Sequence, residues 1–430
     1  MRVSPTGAWA SGVIAPGYGV ADRRGQGRAG HGRAGIPHGR QPNQARTDGS
    51  DRVISGVSRL RTLGGSPDRF EIVWVGDVLL ADSAQPHLVE HGYDWPFEFL
   101  RPLMAGDYLI GNAEGPVTLL TEKIHPNRRW SYNADPASAA ALAKVGFNAM
   151  SLSNNHALDR GPAGLADTVL HLTEAGVSSF GAGMNTAEAA APLLVPTPFG
   201  PVAVTGIGKS WQHGEIAEEQ RPGTIGLSTE SIVHQKKLAD DAGARWVVAF
   251  VHWGSTYKPV NNAQREHAAA FASAGYDLVI GAGSHVAQQV DIVDGMPVLY
   301  SLGNFTFGSI GRFTAEMPGY GLVARTVFDS TGLVNVQLST ITTNNHTVAF
   351  QPRPSDRTTS REVLTGLGTA VRVGTQQQSG GLRNLFNRRV VGQVNLGANL
   401  RSSGNLRVGA NLSPEPAPEP VTDHARQAQT

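Results

Sequence analysis

The sequence predicts an α/β fold with mixed sheets, held in the middle of the chain between two low-complexity ends. From residue 70 to about 280, short apolar runs rich in Val, Ile, Phe and Trp alternate with stretches whose apolar residues recur at helical spacing. From 290 to 341 further strand-like runs follow without helices between them, so this part of the sheet system is expected to be antiparallel or mixed. The ends differ in kind. Residues 1–69 hold eleven arginines, four aspartates and no lysine among many Gly, Pro, Ser and Gln, and read as a disordered basic arm. Residues 353–430 are rich in Gln, Gly, Ser and Asn, with a Gly-Ala-Asn-Leu repeat at 397–400 and 409–412, and read as a low-complexity, disordered tail. One domain is therefore expected over 70–352.

Taken in order, residues 70–75 form a strong strand signal that stops at Gly76-Asp77. A short helix is expected at 96–105, then a strand at 107–110 that ends in Gly111-Asn112-Ala113-Glu114-Gly115-Pro116. The polar, basic and aromatic connection 123–132 suits a loop over a site, and 136–145 is an alanine-rich helix with Asp135 at its start. The strand 147–152 breaks abruptly into Ser153-Asn154-Asn155-His156, before a helix at 162–175. A Pro-rich hairpin-like region at 190–201 leads to a strand at 202–207, and 211–226 reads as a mobile loop. Ser228 caps a helix to about 242, and 246–251 is a buried central strand stopping at His252-Trp253-Gly254. A helix at 262–274 and a strand at 277–280 bring the chain to Gly281-Ala282-Gly283-Ser284-His285.

Composition removes several function classes. A formal net charge of +1 and little aromatic interleaving in the basic arm leave no footprint for nucleic acid. With 0 cysteines, disulfides, thiolate metal sites and cysteine nucleophiles are all excluded. There is no run of 18 apolar residues, so no transmembrane segment is expected, and no clear signal peptide either, because Ser11, Gly12 and Pro16 interrupt the first apolar stretch. The expected location is cytoplasmic or peripheral to the cell envelope.

The chemistry gathers at expected strand ends. Asp77, Glu114, Asn155, His252 and His285 each follow an apolar run, where open α/β sheets bind ligands. Each alone is compatible with a turn or a satisfied core residue. Together they offer carboxylate, amide and imidazole donors suited to one or two divalent ions, Mn, Fe, Zn or Mg. Two such ions can clamp an in-line displacement at phosphorus and activate water near neutral pH. His156 need not be a ligand: it can protonate a leaving oxygen, with Asp159 orienting it. Arg160 either holds an anionic substrate group or is an exposed charge at the start of a helix, and Asn154 either touches substrate or shapes the loop.

These motifs, in this order, resemble the CapA-type poly-gamma-glutamate capsule biosynthesis family of bacteria. The resemblance rests on Val75-Gly76-Asp77, Asn112-Ala113-Glu114, Ser153-Asn154-Asn155-His156 with Asp159 and Gly161, Val251-His252-Trp253-Gly254, Ser284-His285-Val286 and Tyr300-Ser301-Leu302-Gly303-Asn304-Phe305. It implies a calcineurin-like metallophosphatase four-layer sandwich, two mixed sheets flanked by helices. It also implies a metal-dependent hydrolase or transferase acting on a phosphorylated or polyglutamyl substrate, an anionic small molecule or polymer, within a capsule-synthesis complex. The alternative is a non-catalytic binding or assembly component that keeps the fold with a degraded metal site. Departures favour that alternative: Gly283 stands where the family usually has a histidine, Ser284 replaces a proline, and Thr256 precedes Tyr257 where an acidic residue is usual. Ordinary metallophosphoesterases also have a histidine where Leu79 stands. A missing ligand weakens occupancy of at least one metal position.

Overall fold

Strand Phe70–Leu79 alternates two sets of apolar side chains, and that alternation organises the molecule. In this computed structural model, which describes residues 68–209, 213–377 and 388–396, Val73 and Val75 enter one core while Ile72 and Trp74 enter another. Parallel strands Tyr108–Ala113, Ala149–Ser151 and Ser178–Phe180 extend the sheet on one side. Antiparallel strands Tyr320–Asp329, Gly332–Thr342, Arg388–Val394 and Val371–Gln377 extend it on the other.

A second sheet runs in the order Val290–Val293, Met296–Leu299, Leu278–Ala282, Trp246–His252, Val202–Gly208 and Leu193–Val195. Its inner four strands are parallel and its two edges antiparallel. Every residue of Val202–Gly208 and Trp246–His252 is buried, as expected for strands covered on both faces. Three cores separate four layers. Val73, Val75 and Met150 pack on helical Leu142, Leu165 and Leu172. Ile72, Trp74 and Ile110 of the first sheet meet Val204, Val248 and Phe250 of the second. On the far face, Val247, Ala249 and Val279 meet Ile232, Ala239 and Phe271 from helices Thr229–Asp241 and Asn262–Ser273. The expected architecture, two mixed sheets between helical layers, is the observed one. Both far-side helices start at capping boxes, Ser228 with Ser231 and Asn261 with Gln264, which satisfy orphan N–H groups at the helix ends.

The expected limit of the domain at 352 is too early. Helix Arg357–Gly366 buries Ser360 and Leu364, and the two paired strands that follow it bury Val371, Val390, Val391 and Val394. The polar composition of this region hides a few well-spaced valines, and their burial depends on pairing with Gly332–Thr342, which no local pattern reveals. Leu364→Ala is expected to cost about 2–5 kcal/mol, read as a lower urea midpoint; a change within about 0.5 kcal/mol, the size of an ordinary surface substitution, would show this helix to be peripheral. Residues 1–67 and 397–430, on which nearly all of the basic arm, the first apolar stretch around Ser11 and the short repeat fall, lie outside the described residues. Among the described residues, no helix is long and apolar enough to cross a membrane.

Candidate metal centre

Because the parallel strands of both sheets run the same way, their carboxyl ends meet at one edge, and the polar residues that follow each apolar run converge there. Asp77 lies at a break in the pairing of the first strand with Asn304–Phe307, where its N–H donates to the Gly303 carbonyl at 3.0 Å. Gly76 allows this approach, since a Cβ there would stand 1.8 Å from the Gly303 oxygen. Across the sheets, Gly283 N donates to Asp77 Oδ2 at 3.2 Å, and His285 Nδ1 reaches the same oxygen at 3.2 Å. His285 is held at φ 62° and its Nδ1 also bonds Asn304 Oδ1 at 2.9 Å, which turns Nε2 toward Glu114 Oε1, 3.7 Å away.

Asp77, Glu114 and His285 offer ligand atoms that all lie within 4.8 Å of one another, and all three residues are buried. Glu114 Oε2 is buried with no hydrogen-bond partner. Such an orphan among two carboxylates and an imidazole fits a divalent cation, which would satisfy all of them together. The electrostatics agree. Burial drives the Glu114 carboxyl well above the usual carboxylate range. Burial also opposes charge on His285, but the Glu114 charge and the Asp77 hydrogen bond outweigh it and push this imidazole up to about 9. Asp77 is lowered: burial opposes ionisation, and the contacts with His285, His252 and Asn112 overcome it.

His252 and Asn155, the other two expected ligands, lie beside this group and bond each other, Nε2 to Oδ1 at 2.8 Å. His252 is also 3.8 Å from Glu114 Oε1, and burial lowers its imidazole to about 4. Gly283, where a histidine was expected from the family pattern, sits at φ +96°, and a Cβ there would meet the His252 ring at 2.8 Å. The His252 ring thus fills the space a side chain at 283 would need.

His156 and Asp159 are together as expected. The His156 Nδ1 lies 2.7 Å from Asp159 Oδ2, and Nε2 faces Glu114 Oε1 at 3.9 Å. Burial lowers the His156 imidazole, partly offset by Asp159. The Tyr132 ring packs against it at 4.5 Å between centroids. Asp159 also accepts from Tyr132 N at 2.7 Å and from Arg128 Nη1 at 2.9 Å. Arg128 in turn donates to the Asn155 carbonyl at 2.7 Å and to Glu215 at 3.0 Å, tying three segments together.

Two residues expected to bind substrate are engaged elsewhere. Asn154 is buried, donating to Asn112 Oδ1 and the Ala113 carbonyl and accepting from His156 N, the turn-forming use of an asparagine. Arg160 donates to Ser131, Asn133 and the Asp159 carbonyl, bracing the connection 123–132 rather than lining the pocket. The pocket, about 450 Å³, is lined instead by Arg128, Arg129, Arg312 and Lys209, with Trp130, Tyr132, Tyr257 and Phe307 between them and His156, His252 and His285 at its base. The Arg312 guanidinium lies 4.5 Å from the Trp130 ring and 5.1 Å from the Tyr257 ring. Sequence reasoning anticipated the basic, aromatic connection but not Arg128 or Arg312 individually. Arginines in loops carry no local signal that distinguishes a pocket wall from a solvated surface.

The chemistry of this site can be set beside known proteins. The sequence model of the family described as Bacterial capsule synthesis protein PGA_cap matches residues 71–309. The chain is 29% identical to the capsule biosynthesis protein CapA of Bacillus anthracis, over 56% of this chain and 60% of that one. It is 31% identical to a "Probable polyglutamine synthesis accessory protein" of Mycobacterium tuberculosis, over 67% of this chain and 82% of that one. It therefore spans less than two thirds of the Bacillus anthracis relative. Among solved structures it is similar to the calcineurin-like phosphoesterase YfkN of Bacillus subtilis, at 12% identity and TM-score 0.39, over 70% of this chain and 96% of that chain.

Proposed function

The chain belongs to the bacterial capsule synthesis protein family, and from that premise we propose that it is a metal-dependent hydrolase or transferase of poly-gamma-glutamate synthesis, acting on a phosphorylated or polyglutamyl substrate. The observation that carries this reading is the buried Asp77, Glu114 and His285 group with its orphaned carboxylate oxygen, set beneath a pocket walled by arginines. Asp77, Glu114 and His285 would hold the ion, Mn, Fe, Zn or Mg, with His252 and Asn155 beside them. Such an ion supplies Lewis-acid stabilisation of a developing anion and lowers the pKa of water.

The chain's own residues do the rest. Arg129 and Arg312 attract the anionic substrate, and the aromatic walls between them exclude water. His156 exchanges a proton at Nε2 with the reacting oxygen, while Asp159 fixes its ring through Nδ1. Arg128 holds Asp159 and the Asn155 carbonyl in register, a positioning function in place of the one expected of Arg160.

The test is the full chain supplied with Mn, Zn or Mg and assayed on a generic phosphodiester and on poly-gamma-glutamate. Metal-dependent turnover of either is the expected result; metal uptake without turnover of either would sink the enzyme reading. Gly283 is the observation favouring the second reading, a binding or assembly component, because it supplies no ligand and the His252 ring crowds the place where a side chain would start. On that reading the protein retains poly-gamma-glutamate on a column and leaves its length unchanged.

A further inference from the structure

We infer that the centre takes a single divalent cation on Asp77, Glu114 and His285, and that Asn154, Asn112, His252 and Asn155 form a hydrogen-bonded frame beside it rather than a second metal position. The inference deepens the proposed function, since it rests on the same centre being a metal site.

The frame is oriented from the backbone inward. Asn154 Oδ1 accepts from the His156 amide at 3.0 Å and its Nδ2 donates to the Ala113 carbonyl at 2.8 Å, two main-chain partners that fix which end of the amide is which. The same Nδ2 lies 3.1 Å from Asn112 Oδ1, so that oxygen accepts and Asn112 Nδ2 donates. Asn112 Nδ2 lies 2.9 Å from Asp77 Oδ1 and 3.2 Å from His252 Nδ1. His252 Nδ1 is thereby an acceptor, its proton is on Nε2, and Nε2 donates to Asn155 Oδ1 at 2.8 Å. Each link follows from the one before it.

The consequence concerns lone pairs. A second cation beside the first would need a lone pair of His252, yet Nδ1 already accepts from the Asn112 amide nitrogen, which also donates to Asp77 Oδ1, and Nε2 carries the proton given to Asn155 Oδ1. Both His252 nitrogens are thus committed to the frame, which leaves the Asn155 side-chain oxygen as a lone neutral donor beside it. Gly283 adds no donor, and a Cβ there would stand 2.8 Å from the His252 ring on a left-handed backbone. By contrast, Glu114 Oε2 has no partner, and His285 Nδ1 is held by Asn304 so that Nε2 faces Glu114. Charge agrees: the carboxylates of Asp77 and Glu114 balance one dication, the buried Asp159 and Glu215 are paired with Arg128, and the donors nearest a second position, His252 and Asn155, are neutral.

The experiment is titration of the metal-free full chain with Mn(II), followed by calorimetry, elemental analysis and electron paramagnetic resonance. One Mn per chain, with the hyperfine spectrum of isolated ions, is the expected result. Two ions per chain, an exchange-coupled spectrum, or no uptake at all would overturn the inference. Glu114→Gln and His285→Ala should abolish uptake, whereas His252→Gln and Asn112→Ala should keep the count at one with affinity about 10- to 100-fold weaker, the usual cost of losing an outer-shell partner. The wild-type count decides the matter even if a variant fails to fold. One bound ion without turnover would sink the enzyme reading and leave this inference standing; two bound ions with turnover would do the reverse.

Discussion

On the proposed mechanism, His156→Ala should lower turnover by about 10²- to 10⁴-fold, the usual contribution of a positioned proton-transfer group, while metal content stays at the wild-type level. The separation follows from geometry. His156 touches the centre only through Nε2, 3.9 Å from Glu114, and its Nδ1 is bonded to Asp159 rather than to any of the three residues that would hold the ion. Removing it leaves Asp77, Glu114 and His285 in place. Asp159→Asn should follow the same pattern more weakly, because the imidazole loses its orienting partner but keeps the packing of Tyr132. Elemental analysis beside a phosphodiester assay checks both. Loss of metal and turnover together in His156→Ala would make His156 a ligand and redraw the centre.

The second large effect is structural: Gly76→Ala is expected to cost about 3 kcal/mol or more, at or above the upper end for an inserted methyl group. A Cβ at 76 would stand 1.8 Å from the Gly303 carbonyl oxygen and 3.0 Å from its carbon, both main chain, so neither can swing aside as a side chain could. The same carbonyl accepts the Asp77 amide at 3.0 Å, so displacing it also releases the residue on which the centre depends. Urea denaturation should show a much lower midpoint or an unfolded protein. Gly214→Ala is the control, since nothing lies within 4 Å of a Cβ there; it should fall within about 0.5 kcal/mol of wild type. Equal stability of the two variants would mean that strands Phe70–Leu79 and Asn304–Phe307 separate more easily than their pairing implies.

Much of the site was legible along the chain because parallel strands in open sheets end where ligands bind, and apolar runs ending in polar residues announce those ends. Asp77, Glu114, Asn155, His156, Asp159, His252 and His285 all satisfy that rule, and all meet at one edge. For Asn154 and Arg160 the sequence leaves a substrate contact open, but contacts with Ala113 and Ser131 fix them in the loop framework. Sequence distance hid the true partners. Arg128 is bound to Asp159 and Glu215, 31 and 87 residues away, and Asn304 to His285, 19 residues away.

The sequence by itself determined the order of strands and helices along the chain, the strand ends at which chemistry gathers and the donor types available there, because periodicity and strand-end polarity are local properties. Only the tertiary structure decided how the donors divide. Which lone pairs remain free depends on which hydrogen bonds the others make, and the Asn112 amide nitrogen between Asp77 and His252, like the glycine beneath the His252 ring, is visible only when both sheets are in place.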